Sequence, residues 1–168
     1  AGGCLEVKLM LKGPLAVGMN APRADAFTKV TGKEQYAADY YPPNLLWCGV
    51  KRPSYAHALI RSIDISRAKE MPGVAAVLTH KDISGSNRLG ILEKDQPVLA
   101  EDTVRHYGDS IALVLAESRY TLQQALELIS VEYEPLPAVF DPEAAMLEDA
   151  PVLHPGRKYK NILHRDLI

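Results

Sequence analysis

Ile111-Ala112-Leu113-Val114-Leu115-Ala116-Glu117-Ser118-Arg119-Tyr120-Thr121-Leu122-Gln123-Gln124-Ala125-Leu126-Glu127-Leu128-Ile129-Ser130-Val131-Glu132-Tyr133-Glu134 reads as strand, helix and strand in succession. The first six residues are apolar without alternation, which predicts a strand covered on both faces. Ser118 is then the expected N-cap of a helix over about 119–129. Leu122, Ala125, Leu126 and Ile129 recur at i, i+3, i+4 and i+7 and form one apolar face, while Gln123, Gln124 and Glu127 lie elsewhere. Val131 to Glu134 predicts the closing strand, which Pro135 and Pro137 end. Pro142 to Leu147 is expected to add a short helical turn.

Working back towards the start, Asn44 to Lys51 reads as a buried strand between Pro42-Pro43 and Pro53. Ala58 to Ile65 alternates imperfectly, which predicts a strand with a bulge. Ser66 is the expected cap of a short helix, Arg67 to Glu70, and Val74 to Leu78 is the next strand. His80 to about Asp95 is rich in Gly, Ser, Asn and charge and reads as loop. Strand–helix–strand thus occurs twice, but the first helix is too short for a comfortable parallel crossover, which takes about a dozen residues. The expected class is α+β, with a mixed sheet, one main helix and several short ones. Residues 1–22, punctuated by Gly and Pro, read as an arm or linker, with a short edge strand at Val7, Leu9 and Leu11.

Composition narrows the function. The 168 residues carry 19 basic and 21 acidic side chains, a net charge of -2, so no strong field draws nucleic acid or anionic lipid. The densest basic cluster is Arg157, Lys158 and Lys160, which reads as a solvated loop. The two cysteines, Cys4 and Cys48, have no metal-ligand spacing and favour a reducing, cytoplasmic setting. The ends, Ala1-Gly2-Gly3 and Asp166-Leu167-Ile168, are expected to be boundaries inside a longer protein.

Each reactive-looking motif has a plainer reading. Thr31-Gly32-Lys33 has Phe27 where a phosphate-binding loop needs glycine, and Glu34 where it needs Ser or Thr, so a turn is expected. Gly108-Asp109-Ser110-Ile111 looks like a serine-hydrolase block, but the strand follows Ser110 where a nucleophile would have to follow the strand. The nearest C-terminal acid and base, Asp149 and His154, are not at D-x-x-H spacing. His57, His80, His106, His154 and His164 include no close helical pair of the kind a zinc helix uses. Asp25, Asp39, Asp64 and Asp82 lie near turns or strand ends, where Asp accepts backbone N–H groups. No catalytic, cofactor-binding or metal-binding residue is assigned from these patterns.

The blocks together say more than any one of them. Arg23-x-Asp25-Ala26-x-x-Lys29-Val30-Thr31-Gly32-x-x-x-Tyr36-x-x-Asp39 is followed by His57-Ala58-x-Ile60-x-x-Ile63-Asp64 and Ala68-x-x-Met71-Pro72-Gly73-Val74-x-x-Val77. Then come Tyr107-Gly108-Asp109-x-Ile111-Ala112-x-Val114, Val131-x-Tyr133-Glu134-x-Leu136-Pro137, and His154-Pro155. In this order they resemble the α/β-hammerhead domain of the xanthine dehydrogenase and aldehyde oxidase family of molybdenum hydroxylases, over about residues 23–165. Asp109 stands where many members carry glutamine.

The resemblance implies a domain opening the molybdopterin-binding portion of an oxidoreductase that hydroxylates a carbon centre with water. It implies a parent that uses molybdopterin, [2Fe-2S] clusters and often FAD, with the pterin loops and catalytic glutamate downstream. The domain itself would hold no cofactor and would have no activity. Its partners would be the rest of the molybdopterin-binding chain and the iron–sulfur and FAD parts, with the Lys29–Gly32 turn helping to frame them. Residues 166–168 would then begin the next segment. A free-standing binding module sharing the fold is the alternative, and a small serine hydrolase using Ser110 is a more distant one.

Overall fold

The computed structural model describes residues 23–91, 93–157 and 159–164. The arm expected over residues 1–22, its edge strand, and the stub at 166–168 lie outside the described residues. The described residues fall into two units, divided between Pro42 and Pro43.

In the first unit, Ala26–Val30 forms helix α1, and a single 3-10 turn follows at Ala37–Asp39. Asp25 precedes α1 and pairs with Lys29 at 2.5 Å and with Arg23 at 3.0 Å. The Lys29 ammonium, and then Arg23, hold its carboxyl below the usual carboxylate range.

The second unit begins with strand β1 (Trp47–Lys51), strand β2 (Ala58–Asp64), helix α2 (Ser66–Lys69) and strand β3 (Val74–Leu78). Short ladders follow at β4 (Arg88–Leu89), β5 (Gln96–Pro97) and β6 (Thr103–Val104). Strand β7 (Ala112–Ala116), helix α3 (Arg119–Leu128), strand β8 (Ser130–Pro135) and helix α4 (Pro142–Ala145) complete it. The first sheet has the order β1-β7-β3, the second β6-β2-β8, and β4 pairs with β5 alone.

The α+β layout agrees with the sequence reading, but the expected mixed sheet does not form. Every strand pairing among the described residues is antiparallel. The reason lies in the two strand–helix–strand units. β2 lies in the second sheet and β3 in the first, while β7 lies in the first and β8 in the second. Each helix therefore carries the chain from one sheet to the other, and no parallel crossover within a sheet is needed. α2, at four residues, is far too short for one.

The bulge expected in Ala58–Ile65 is at Arg61: Ile60 pairs with Tyr133 and Ser62 with Glu132, leaving Arg61 as the extra residue. A second register shift, at Ala75, bends β3 against β7. Ser66 is not the cap of α2 but its first residue. Ile65 stands at the cap position, and Asp64 beside it accepts the Ser66 backbone N–H at 2.9 Å and the hydroxyl at 2.6 Å. Ser118 caps α3 as expected, its Oγ accepting the Thr121 N–H at 3.0 Å. The stretch expected to be loop, from His80 to Asp95, contains a 3-10 turn at His80–Asp82 and strand β4.

One core organises these elements. Ala68 of α2, Val77 of β3, Ala112 and Val114 of β7, Ala125 of α3 and Ile129 just after it are buried together. Leu122 and Leu126 pack on the same cluster, so the four-residue apolar face of α3 is its contact face. Small residues let the helices approach closely: Gly49 of β1 has no side chain, and an added Cβ would sit 3.0 Å from Leu122. Each fully buried Val or Ile contributes about 1.5–3 kcal/mol.

Candidate functional site

The turn Thr31-Gly32-Lys33 closes the C-terminus of α1. Gly32 has φ 68°, a left-handed conformation that glycine adopts without a Cβ penalty. The Lys33 N–H donates to the Thr28 carbonyl at 2.8 Å and the Gly32 N–H to the Lys29 carbonyl at 3.2 Å, which is the Schellman pattern. A phosphate site needs the opposite end of a helix, where N–H groups point outward. The turn reading therefore holds, and the structure supplies its reason.

Ser110 has no catalytic partner either. His106 is nearby, but its Nε2–H donates to Asp109 at 2.9 Å, and its Nδ1 accepts the Gly108 N–H at 2.9 Å. Both ring nitrogens are occupied, so neither is left to take a proton from Ser110. Ser110 Oγ instead accepts from Arg52 at 3.0 Å. Asp109, 8% exposed, accepts the Arg105 N–H at 2.6 Å and the His106 N–H at 3.3 Å. The Gly108-Asp109-Ser110 block is a stapled turn that delivers the chain into β7. Asp149 and His154, the more distant pair, are not joined: His154 turns to Asp95.

The other expected residues are also local staples. Asp39 accepts the Tyr36 N–H at 2.8 Å. Asp82 accepts the Thr79 N–H at 2.7 Å and hydroxyl at 3.1 Å, and Asp64 binds Ser66 as described. Hydrogen bonds from Thr79 and Ser66 hold these two carboxyls below the ordinary range. His57, buried, lies 2.6 Å from the Pro137 carbonyl through Nδ1, and its own carbonyl accepts the Leu136 N–H at 3.0 Å. It thereby ties the start of β2 to the segment after β8. Tyr55 packs on Tyr133 with ring centroids 5.3 Å apart. Cys48 is exposed, and Cys4 lies outside the described residues.

The most concentrated charge was not legible in the sequence. A cleft of about 520 Å³ is lined by Arg88, Asp95, Arg105, His154 and Arg157 among others. Asp95 receives the Arg157 guanidinium at 2.5 Å and the His154 Nδ1–H at 3.1 Å. Arg88 pairs with Glu101. Arg105 donates through Nε to the Leu153 carbonyl at 2.8 Å. The Arg157 guanidinium holds the Asp95 carboxyl below its ordinary value, and Arg88 does the same to Glu101. Burial, reinforced by Arg157, pushes His154 below the ordinary imidazole value, with Asp95 opposing.

Two of the guanidinium groups are thus already neutralised, and the cleft fastens two loops, around Asp95 and around 153–157, more than it attracts an anion. Arg157 was read as part of a solvated basic cluster. It is instead a latch, because its partner is 62 residues away. Among the described residues, no three His, Cys, Asp or Glu side chains come together so as to hold a metal ion. No helix among them is long and apolar enough to cross a membrane.

The side chains described above are engaged within the fold, and comparison with known proteins places the chain. The chain is 43% identical over 148 residues to the nicotinate dehydrogenase large molybdopterin subunit of Eubacterium barkeri, covering 88% of this chain and 35% of that one. It is 48% identical over 143 residues to a probable xanthine dehydrogenase subunit of Bacillus subtilis, covering 85% of this chain and 19% of the relative. The chain therefore spans about a third or less of these curated relatives. Among solved structures, the aldehyde oxidoreductase of Desulfovibrio gigas superposes with a TM-score of 0.74 at 40% identity, over 80% of this chain and 16% of that one. The a/b hammerhead domain of aldehyde oxidase and xanthine dehydrogenase matches residues 31–137, more than half of the chain. With fold, block order and identity in agreement, the chain belongs to the a/b hammerhead domain family of aldehyde oxidase and xanthine dehydrogenase.

Proposed function

We propose that this chain is the N-terminal structural domain of the molybdopterin-binding subunit of an oxidoreductase that hydroxylates a carbon centre with water. The observation that carries this reading is the asymmetry of coverage: 43% identity extends over 88% of this chain but only 35% of the large molybdopterin subunit it matches. The hammerhead is taken to run over residues 23–165, beyond the matched stretch at both ends. The parent is placed in the cytoplasm, in keeping with the two cysteines of this chain and their spacing.

Two observations support leaving the parent's cofactors outside this domain. A [2Fe-2S] cluster takes four cysteine thiolates, and the chain has two cysteines. The phosphates of a pterin or flavin dinucleotide would need free cations, and Arg88 and Arg157 are already paired with carboxylates. No chemical step is therefore assigned to this domain. Molybdopterin, iron–sulfur clusters and FAD belong to the remaining polypeptide and its partner subunits. The relatives named above act on nicotinate, xanthine and aldehydes by name, and the choice among such substrates is assigned to the remaining polypeptide as well.

Three measurements test the reading. The coding sequence beyond Ile168 should continue into a long open frame; a stop codon there would leave the free-standing binding module as the better account. The purified chain should neither retain molybdenum nor hydroxylate a heterocycle or aldehyde. Ester cleavage abolished by Ser110→Ala would revive the hydrolase reading.

A further inference from the structure

We draw no further inference here: the strongest candidate, the cleft of about 340 Å³ that Arg61, Ser62, His80, Lys81 and Glu101 line between β2 and the 3-10 turn at His80–Asp82, carries nothing, because Arg61 and Glu101 are already paired with Glu134 and Arg88, the unpartnered His80 Nδ1 is buried out of a ligand's reach, and nothing in the structure shows what would fill it.

Discussion

The cluster between the β1-β7-β3 sheet and helices α2 and α3, and the ion-paired cleft between the Asp95 and 153–157 loops, hold the same unit together by opposite means. The first is built of Ala68, Val77, Ala112, Val114, Ala125 and Ile129, with no titratable group among them. The second is built of Asp95, His154 and Arg157, side chains 31%, 27% and 16% exposed. Apolar burial is non-directional and has no proton to lose, whereas partly solvated ion pairs are weak, screened and proton-linked. The difference implies that the sheet–helix cluster sets global stability, and the cleft sets the local order of the loops.

The comparison breaks most visibly at Ile129. Ile129→Ala should cost about 2–5 kcal/mol, read as a lowered urea midpoint at unchanged slope, and a loss below about 1 kcal/mol would remove the cluster's primacy. Gly49→Ala comes next. Its Cβ would lie 3.0 Å from the Leu122 side chain, so Gly49→Ala should be less destabilising in a Leu122→Ala background than in the unaltered chain. A double-mutant cycle showing simple additivity would mean that β1 and α3 do not press on each other. Ser118→Ala should cost about 1 kcal/mol through the lost Thr121 cap, with Ser118→Gly milder.

The smallest global effect and the sharpest contrast belong to the cleft. Arg157→Ala should change global stability by less than about 1 kcal/mol, yet hydrogen exchange at residues 153–157 should accelerate. The pH dependence has a definite sign. His154 and Asp95 both have lowered values in the folded chain, so the unfolded chain binds more protons and stability falls with acid. The His154 contribution is present above its unfolded value of 6.5 and is lost as the pH falls through its lower folded value. That of Asp95 is present above 3.8 and is lost below that. Loosening of the 153–157 loop that began only on the alkaline side would contradict the latch.

The two regions also differ in how far they could be read from the chain. β7, α3 and β3 were legible because unbroken apolar runs and a 3.6-residue period are local signals. The bulge at Arg61 was visible as broken alternation. β4, β5 and β6 were not, because two-residue ladders leave no period to detect. Ser66 misled because Asp64, two residues earlier, takes its N–H and hydroxyl, and Ser66 becomes the first residue of α2. The turns at Gly32 and Ser110 were correctly set aside from motif mismatch, but the Schellman closure and the doubly engaged His106 ring are geometric facts.

The sequence by itself determined the longer elements, the apolar face of α3, and a block order specific enough to point to the hammerhead domain, because these depend on neighbours along the chain. The tertiary structure alone decided that each helix passes between two antiparallel sheets, that Arg157 reaches Asp95, and that Phe140 and Leu147 are left facing outward. Those outcomes depend on which distant surfaces meet. Contact across a fold is set by packing and Coulomb attraction among residues far apart in the chain, and local periodicity does not encode that.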